Sequence, residues 1–270
     1  MGKPVELGAV QETLLIPLYG RALDAKKRHP VLGDAKAAEL VERIDYDFAK
    51  FRGPALSGSV LRSAIFDGWV RRFLSAHPAG TVVELGTGLN TRAQRLGTDR
   101  MHWFDLDLPD TVALRREFFA DSGRVTTISA SVLDPEWLDQ VAGTAGPYFF
   151  VSEAVLLYLA EDQVREVVHR LADRFPGSGF AFDTGGRAMM RNQDRNPVFK
   201  TLTARMQWEC DDPRRLEEWG LRLEESRTFA TPQPELARTW PARYRYGLPL
   251  LARLLPPLIN TYKINLFTLG

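Results

Sequence analysis

The chain has 270 residues, 44% of them hydrophobic and 26% charged, proportions that suit a folded globular protein and exclude a disordered tail, a collagen-like repeat or a membrane bundle. Its 35 Lys and Arg against 34 Asp and Glu leave a net charge of +1, so neither nucleic acid nor a membrane surface is an expected partner. One cysteine, Cys210, cannot close an intrachain disulfide and four scattered histidines offer no zinc spacing, which predicts a reducing compartment and no metal.

The opening residues lack the basic start and long apolar run of a secretory leader, and a cytoplasmic protein is expected. Residues 9 to 76 read as helical, broken into three pieces by Pro30, Gly33, Gly53 and Pro54. In the last piece Leu56, Val60, Ala64, Ile65, Trp69 and Phe73 recur at helical steps and mark one apolar face. Residues 1–78 are thus expected to form an N-terminal helical cover.

From Gly80 short apolar runs alternate with helical patterns, the rhythm of parallel βαβ units. Strands are expected at Thr81–Leu85, His102–Leu106, Val125–Ser129, Tyr148–Val151 and Gly179–Phe182. Between them fall helices near Asn90–Leu96, Asp110–Phe119, Pro135–Val141 and Glu161–Phe175. After Gly186 the spacing predicts helices near Val198–Met206 and Pro213–Trp219 and a strand around Arg227–Thr231. A last strand is expected at Ile264–Leu269, with Leu248 to Leu269 as a whole facing the core. No linker separates these parts, so one α/β domain is expected, with residues 79–186 as its ligand-binding core and 187–270 as an acceptor-side segment.

The sharpest motif is Val82-Val83-Glu84-Leu85-Gly86-Thr87-Gly88-Leu89-Asn90-Thr91, a buried strand entering a glycine turn. In open α/β sheets ligands sit at the carboxyl ends of strands, where glycine lets backbone approach closely. Thr91 stands where a dinucleotide fingerprint has its third glycine, which disfavours NAD. Asp107, after the second strand, could accept both hydroxyls of a ribose, or it could simply cap the next helix.

Six separated blocks then point further. These are Glu12-Thr13-Leu14-Leu15 with Leu18 to Ala22, Ile44 to Phe48, Arg62, Glu84 to Arg92, Asp105 to Pro109, and Glu153 to Tyr158. In this order they resemble the class I S-adenosylmethionine-dependent methyltransferases of the leucine carboxyl methyltransferase family, especially bacterial polyketide O-methyltransferases of the tetracenomycin type. The resemblance implies a Rossmann-like, mostly parallel seven-stranded sheet with helices on both faces, and S-adenosyl-L-methionine as cofactor. It implies Arg62 on the methionine carboxylate, Glu153 on its ammonium, Glu84, Gly86 and Gly88 along the methionine moiety, and Asp107 on the ribose. Ser131 and Val132 fall beside the adenine, where the family usually has Asp-Leu, and Asn90 replaces its usual aspartate.

Methyl transfer from a sulfonium needs mainly an aligned oxygen and excluded water. An ionised carboxylate needs no base, whereas a phenol with a pKa near roughly 10 often benefits from one. With no His or Lys base in evidence, a carboxylate of a small aromatic or polyketide-type acid is the expected acceptor. A phenolic hydroxyl, or a non-catalytic regulatory or scaffold protein that binds the cofactor, are the alternatives. Tyr19, Tyr158 and Arg187 are expected to position the acceptor, with Arg21, Arg191 and Trp208 binding it. A homodimer is left open.

Overall fold

A computed structural model describes residues 3–4, 11–97, 99–195 and 204–270. Seven strands form one sheet: β1 (Thr81–Leu85), β2 (His102–Asp107), β3 (Val125–Ser129), β4 (Tyr148–Ser152), β5 (Gly179–Gly185), β6 (Leu221–Arg227) and β7 (Tyr262–Leu269). Their order is β3-β2-β1-β4-β5-β7-β6. The first five are parallel, and β7 runs antiparallel to both β5 and β6. The order reverses between β1 and β4, so the loops after these two strands diverge and leave a crevice at their carboxyl ends.

Helices α1 (Leu15–Ala25), α2 (Ala35–Arg43) and α3 (Pro54–Ala76) precede the sheet. The first two pack Leu15, Leu18, Ala22, Ala37 and Leu40 into a shared apolar cluster. Pro54 pre-sets the first turn of α3, and its Ile65, Phe66, Trp69 and Val70 bury against Val82, Trp103 and Phe149 on one face of the sheet. The other face is covered by α6 (Glu136–Ala142) and α7 (Glu161–Arg174), whose Trp137, Val164, Val168 and Leu171 meet Val83, Phe104 and Phe150. Between α3 and α6 in the chain lie α4 (Arg92–Leu96) and α5 (Pro109–Arg115), each following a strand whose end carries the motif residues.

Beyond β5 the chain departs from expectation. Short α8 (Arg187–Asn192) is followed by residues of which 196–203, most of the expected helix Val198–Met206, lie outside the described residues, and 204–206 are not helical. Pro213–Trp219 winds as a 3₁₀ helix. The expected strand at Arg227–Thr231 lies earlier, at Leu221–Arg227, as a half-buried edge strand with a bulge between Leu223 and Glu225. Thr228 and Thr231 instead close a turn, the Thr228 amide donating to the Thr231 hydroxyl at 3.1 Å. Helices α9 (Pro234–Thr239), α10 (Ala242–Arg245), α11 (Gly247–Leu254) and α12 (Pro256–Ile259) then form a cap between β6 and β7. The C-terminal segment is core-facing only in part: β7 is largely buried, but Leu250, Leu254 and Leu255 are exposed. No helix of the described residues is long and apolar enough to cross a membrane.

Candidate active site

The crevice holds a cavity of about 540 Å³, within the range of small-molecule sites. One end is lined by Asp107, Ser131 and Val132, the middle by Glu84, Gly86 and Gly88, and beyond these lie Arg62 and Glu153. The lining also includes Ile16, Pro17, Met189, Met206, Phe229 and Tyr158. Elements distant in sequence thus supply one continuous trough.

The glycine turn is fixed from behind. Gly86 and Gly88 have φ of +69° and +53°, backbone that side-chain-bearing residues avoid. A Cβ on Gly86 would lie 2.2 Å from Val155 Cγ2, so this glycine also lets the loop after β4 pack against the turn. Two buried arginines hold the turn's carbonyls: Arg115 Nη1 donates to those of Gly88 and Asn90 at 3.0 and 2.8 Å, and Arg21 Nη2 donates to that of Leu89 at 2.9 Å. The Gly88 amide in turn donates to Asp107 Oδ2 at 2.6 Å, and the Leu108 amide to Asp107 Oδ1 at 2.8 Å. Asp107 therefore stands in one orientation at the cavity wall, its pKa raised by burial.

Behind the middle of the trough lies a buried charge network centred on Arg92. Its Nε donates to Asp67 at 2.7 Å, its Nη1 to Glu84 at 2.5 Å and its Nη2 to Glu153 at 2.5 Å. Glu153 Oε1 also accepts from Arg62 Nε at 2.9 Å and from the Ser63 hydroxyl at 2.7 Å. Burial alone would raise its pKa, but Arg62 and Arg92 outweigh it and hold the carboxyl down at about 2. Glu84 accepts from Asn90 Nδ2 at 2.6 Å, yet burial, with the charges of Asp105 and Glu153 adding, pushes it up to about 7. One guanidinium serving three carboxylates leaves Glu84 the least compensated.

A second buried carboxylate, Asp183 at the end of β5, accepts the Ala154 amide with both oxygens at 3.0 Å and the Tyr262 hydroxyl. Ala154 has a φ of +57° directly after Glu153, so this anchor fixes the backbone from which Glu153 projects. Arg62 Nη1 reaches the Tyr262 hydroxyl at 3.3 Å.

Of the residues expected to meet the acceptor, Tyr158 lines the cavity, with its hydroxyl bonded to Thr13. The others lie outside the cavity or at its border. Tyr19 stacks on Phe48 at 5.4 Å and does not line the cavity. Trp208 is buried in the core between Phe182 and Trp219. Arg187 pairs with Glu209 at 3.2 Å on the surface, and Arg191 on the same helix is exposed, both outside the cavity. Arg21 borders the cavity, but its Nε is committed to Asp34 at 3.0 Å. Helix periodicity and charge alone do not tell a surface arginine from a lining one.

Sequence reasoning passed over Arg92, Asp67, Asp183 and Tyr262. Arg92 carried a usable signal, an arginine beginning the helix after the glycine turn, where its positive charge opposes the helix dipole and demands a buried anion. Asp183 carried another, an acid ending the apolar run Phe180-Ala181-Phe182.

The leucine carboxyl methyltransferase family profile matches residues 15–172. The chain is 36% identical over 230 residues, 83% of its length and 85% of the relative's, to the tetracenomycin polyketide synthesis O-methyltransferase TcmP of Streptomyces glaucescens. It is 30% identical over 237 residues, 79% of either protein, to the S-adenosyl-L-methionine-dependent methyltransferase dpfgK of Gibberella zeae. Among solved structures, a DUF574 family protein from Streptomyces avermitilis shares the fold with a TM-score of 0.59 at 16% identity, over 95% of this chain and 97% of that one. With the profile spanning more than half of the chain and two relatives matching most of it, this protein belongs to the leucine carboxyl methyltransferase family of S-adenosyl-L-methionine-dependent methyltransferases.

Proposed function

We propose that the protein methylates a carboxylate of a small aromatic or polyketide-type acid. The observation that carries this reading is the match of residues 15–172 to a family named for methylating a carboxyl group. Ile16, Pro17, Leu157, Met189, Met206 and Phe229 are among the residues that line the cavity and suit the apolar body of such an acid. A carboxylate is ionised at neutral pH and needs no base, and the cavity that would receive it carries the Arg62 guanidinium. The name of the Streptomyces relative, a polyketide synthesis O-methyltransferase, supports a polyketide-type acceptor.

The residues present fit the cofactor. Asp107 presents two carboxylate oxygens already oriented by backbone amides, a match for a ribose diol. Ser131 and Val132 flank the adenine end. Gly86, Gly88 and Glu84 line the span to Glu153, whose Oε2 accepts from Arg92 alone among the described residues and can accept an ammonium donor as well. Arg62 Nη2 makes no hydrogen bond among the described residues and would meet the carboxylate. When bound, S-adenosyl-L-methionine supplies a methyl on a sulfonium, which departs in line to an oxygen and leaves a neutral thioether. The protein's part is to hold the two reactants end to end and exclude water. Tyr158 is the acceptor-positioning hydroxyl at the junction of the two halves.

The test is the product formed with aromatic acids and phenols. An alkali-labile methyl ester is expected; a methyl ether, stable to alkali, as the sole product would move the reading to a hydroxyl.

Glu84 gives a further expected result. A cationic ligand favours its ionised form, so binding pulls its pKa below the unliganded value of about 7 and releases a proton. Affinity for S-adenosyl-L-methionine should therefore rise with pH up to about 7. Titration calorimetry in buffers of different ionisation enthalpy should detect the released proton near neutrality, less with S-adenosylhomocysteine, and none with Glu84→Gln. Equal proton release by Glu84→Gln would assign the linkage to another group.

A further inference from the structure

The cap of α9 to α12 is apolar on two sides, and the fold covers only one of them. Inward it is anchored by Trp240, Tyr244 and Leu248, which pack with Ile65, Trp69 and Phe229 in the cluster between α3 and the sheet. Outward, Tyr246, Leu250, Leu254 and Leu255 are 64, 59, 68 and 52% exposed, four of the five large hydrophobic side chains exposed among the described residues. The first three stand four residues apart and so share one side of α11. A cluster of this kind marks an interaction surface, where scattered single leucines would not.

The charge of the same stretch is one-sided. From Leu236 to Gly270 the chain has no acidic residue, whereas Arg238, Arg243, Arg245, Arg253 and Lys263 are basic. Arg243, Arg245 and Arg253 are exposed and make no ion pair among the described residues. Arg243 and Arg245 lie over the rings of Tyr244 and Tyr246, 4.6 and 5.2 Å from their centroids. The net charge of +1, on which the expectation of no membrane partner rests, is thus an average over a segregated distribution.

Composition then selects the partner. From Pro241 to Ile259 there is no Asp, Glu, Asn, Gln, Ser or Thr, the groups that a protein interface uses to reach about one hydrogen bond per 100–200 Å². Leucines and a tyrosine flanked by arginines suit a lipid interface, with apolar side chains among the acyl chains and guanidiniums at the phosphates. A second copy docked about a two-fold axis would instead bring the same cations against these. We propose that the outer face of α11 docks on an anionic lipid surface, Tyr246, Leu250, Leu254 and Leu255 entering it and Arg243, Arg245 and Arg253 meeting the headgroups. The cap joins Phe229 to Thr261 and Tyr262, all three of which line the cavity. Docking therefore sets an element that adjoins the cavity on a phase in which apolar acids dissolve, and it does not depend on which acceptor is methylated.

The test is flotation with vesicles of phosphatidylcholine alone or of an equal mixture with phosphatidylglycerol. The wild type should bind the anionic vesicles at least about tenfold more tightly than the neutral ones and be released as salt is raised. Leu250→Asp and Leu254→Asp should each weaken binding at least about tenfold by removing an inserted side chain. Arg243→Ser and Arg253→Ser should each weaken it about fivefold on anionic vesicles and leave neutral ones unaffected. All four residues lie outside the cavity, so S-adenosylhomocysteine affinity and melting temperature should stay at wild-type values. A wild type that binds neither vesicle overturns the proposal and leaves the face to a protein partner. So does equal binding to both vesicle types, or binding that the leucine variants leave intact. A wild-type dimer in light scattering that Leu254→Asp converts to a monomer assigns the face to a second copy and overturns the proposal as well.

Discussion

Replacing Arg92 by methionine is expected to cost about 3–5 kcal/mol of folding stability, the usual penalty for breaking a buried ion pair by removing one partner. The reason is the number of groups that depend on it. Glu153 retains Arg62 at 2.9 Å, and Asp67 retains Arg95 at 2.9 Å. Glu84 is left with only the Asn90 amide donor at 2.6 Å, a neutral partner for a carboxylate that is 2% exposed. A lysine at position 92 should rescue poorly, since a single ammonium cannot face Asp67, Glu84 and Glu153 in the three directions a guanidinium does. Urea unfolding of Arg92→Met, Glu84→Gln and the pair measures this directly. The double variant should recover part of the loss, because a neutral carboxamide at position 84 no longer needs the cation. A loss below about 1 kcal/mol for Arg92→Met would mean that the network relaxes or takes up a proton and does not depend on this cation.

The same network explains what could and could not be read from the chain alone. The five parallel strands were legible because strands buried on both faces appear as unbroken apolar runs, as in Val82-Val83 or Phe149-Phe150-Val151. The glycine turn was legible because positive φ leaves a compositional mark at Gly86 and Gly88. Arg62, Asp107 and Glu153 were placed through the family's pattern, and the fold brings all three to one cavity. Arg92 has no such mark: its anions lie 8, 25 and 61 residues away, and no periodicity links them. Trp208 failed for the opposite reason. An aromatic in an irregular segment suits a stacking platform and a core equally, and here Phe182 and Trp219 already occupy its two sides. The cap of α9 to α12 escaped notice because each helix is eight residues or fewer, too short for its periodicity to stand out.

Asp107→Ala should weaken S-adenosylhomocysteine binding by about a hundredfold, from the loss of two hydrogen bonds to a charged acceptor at roughly 1.5–3 kcal/mol each. Part of that loss could come from the turn, since Asp107 also accepts the Gly88 amide at 2.6 Å. A second ligand separates the contributions. Methylthioadenosine has the ribose and adenine but no amino-acid moiety, so Asp107→Ala should weaken it by the same factor. Arg62→Ala, at the other end of the trough, should weaken S-adenosylhomocysteine and leave methylthioadenosine unchanged. Asp107→Asn, which keeps one acceptor oxygen but loses the charge, should fall between wild type and Asp107→Ala for both ligands. The crossed pattern can arise only if the nucleoside lies at the Asp107 end and the amino acid at the Arg62 end. If Asp107→Ala spares methylthioadenosine, that orientation is wrong, and Asp107 serves only to cap the turn at Gly88.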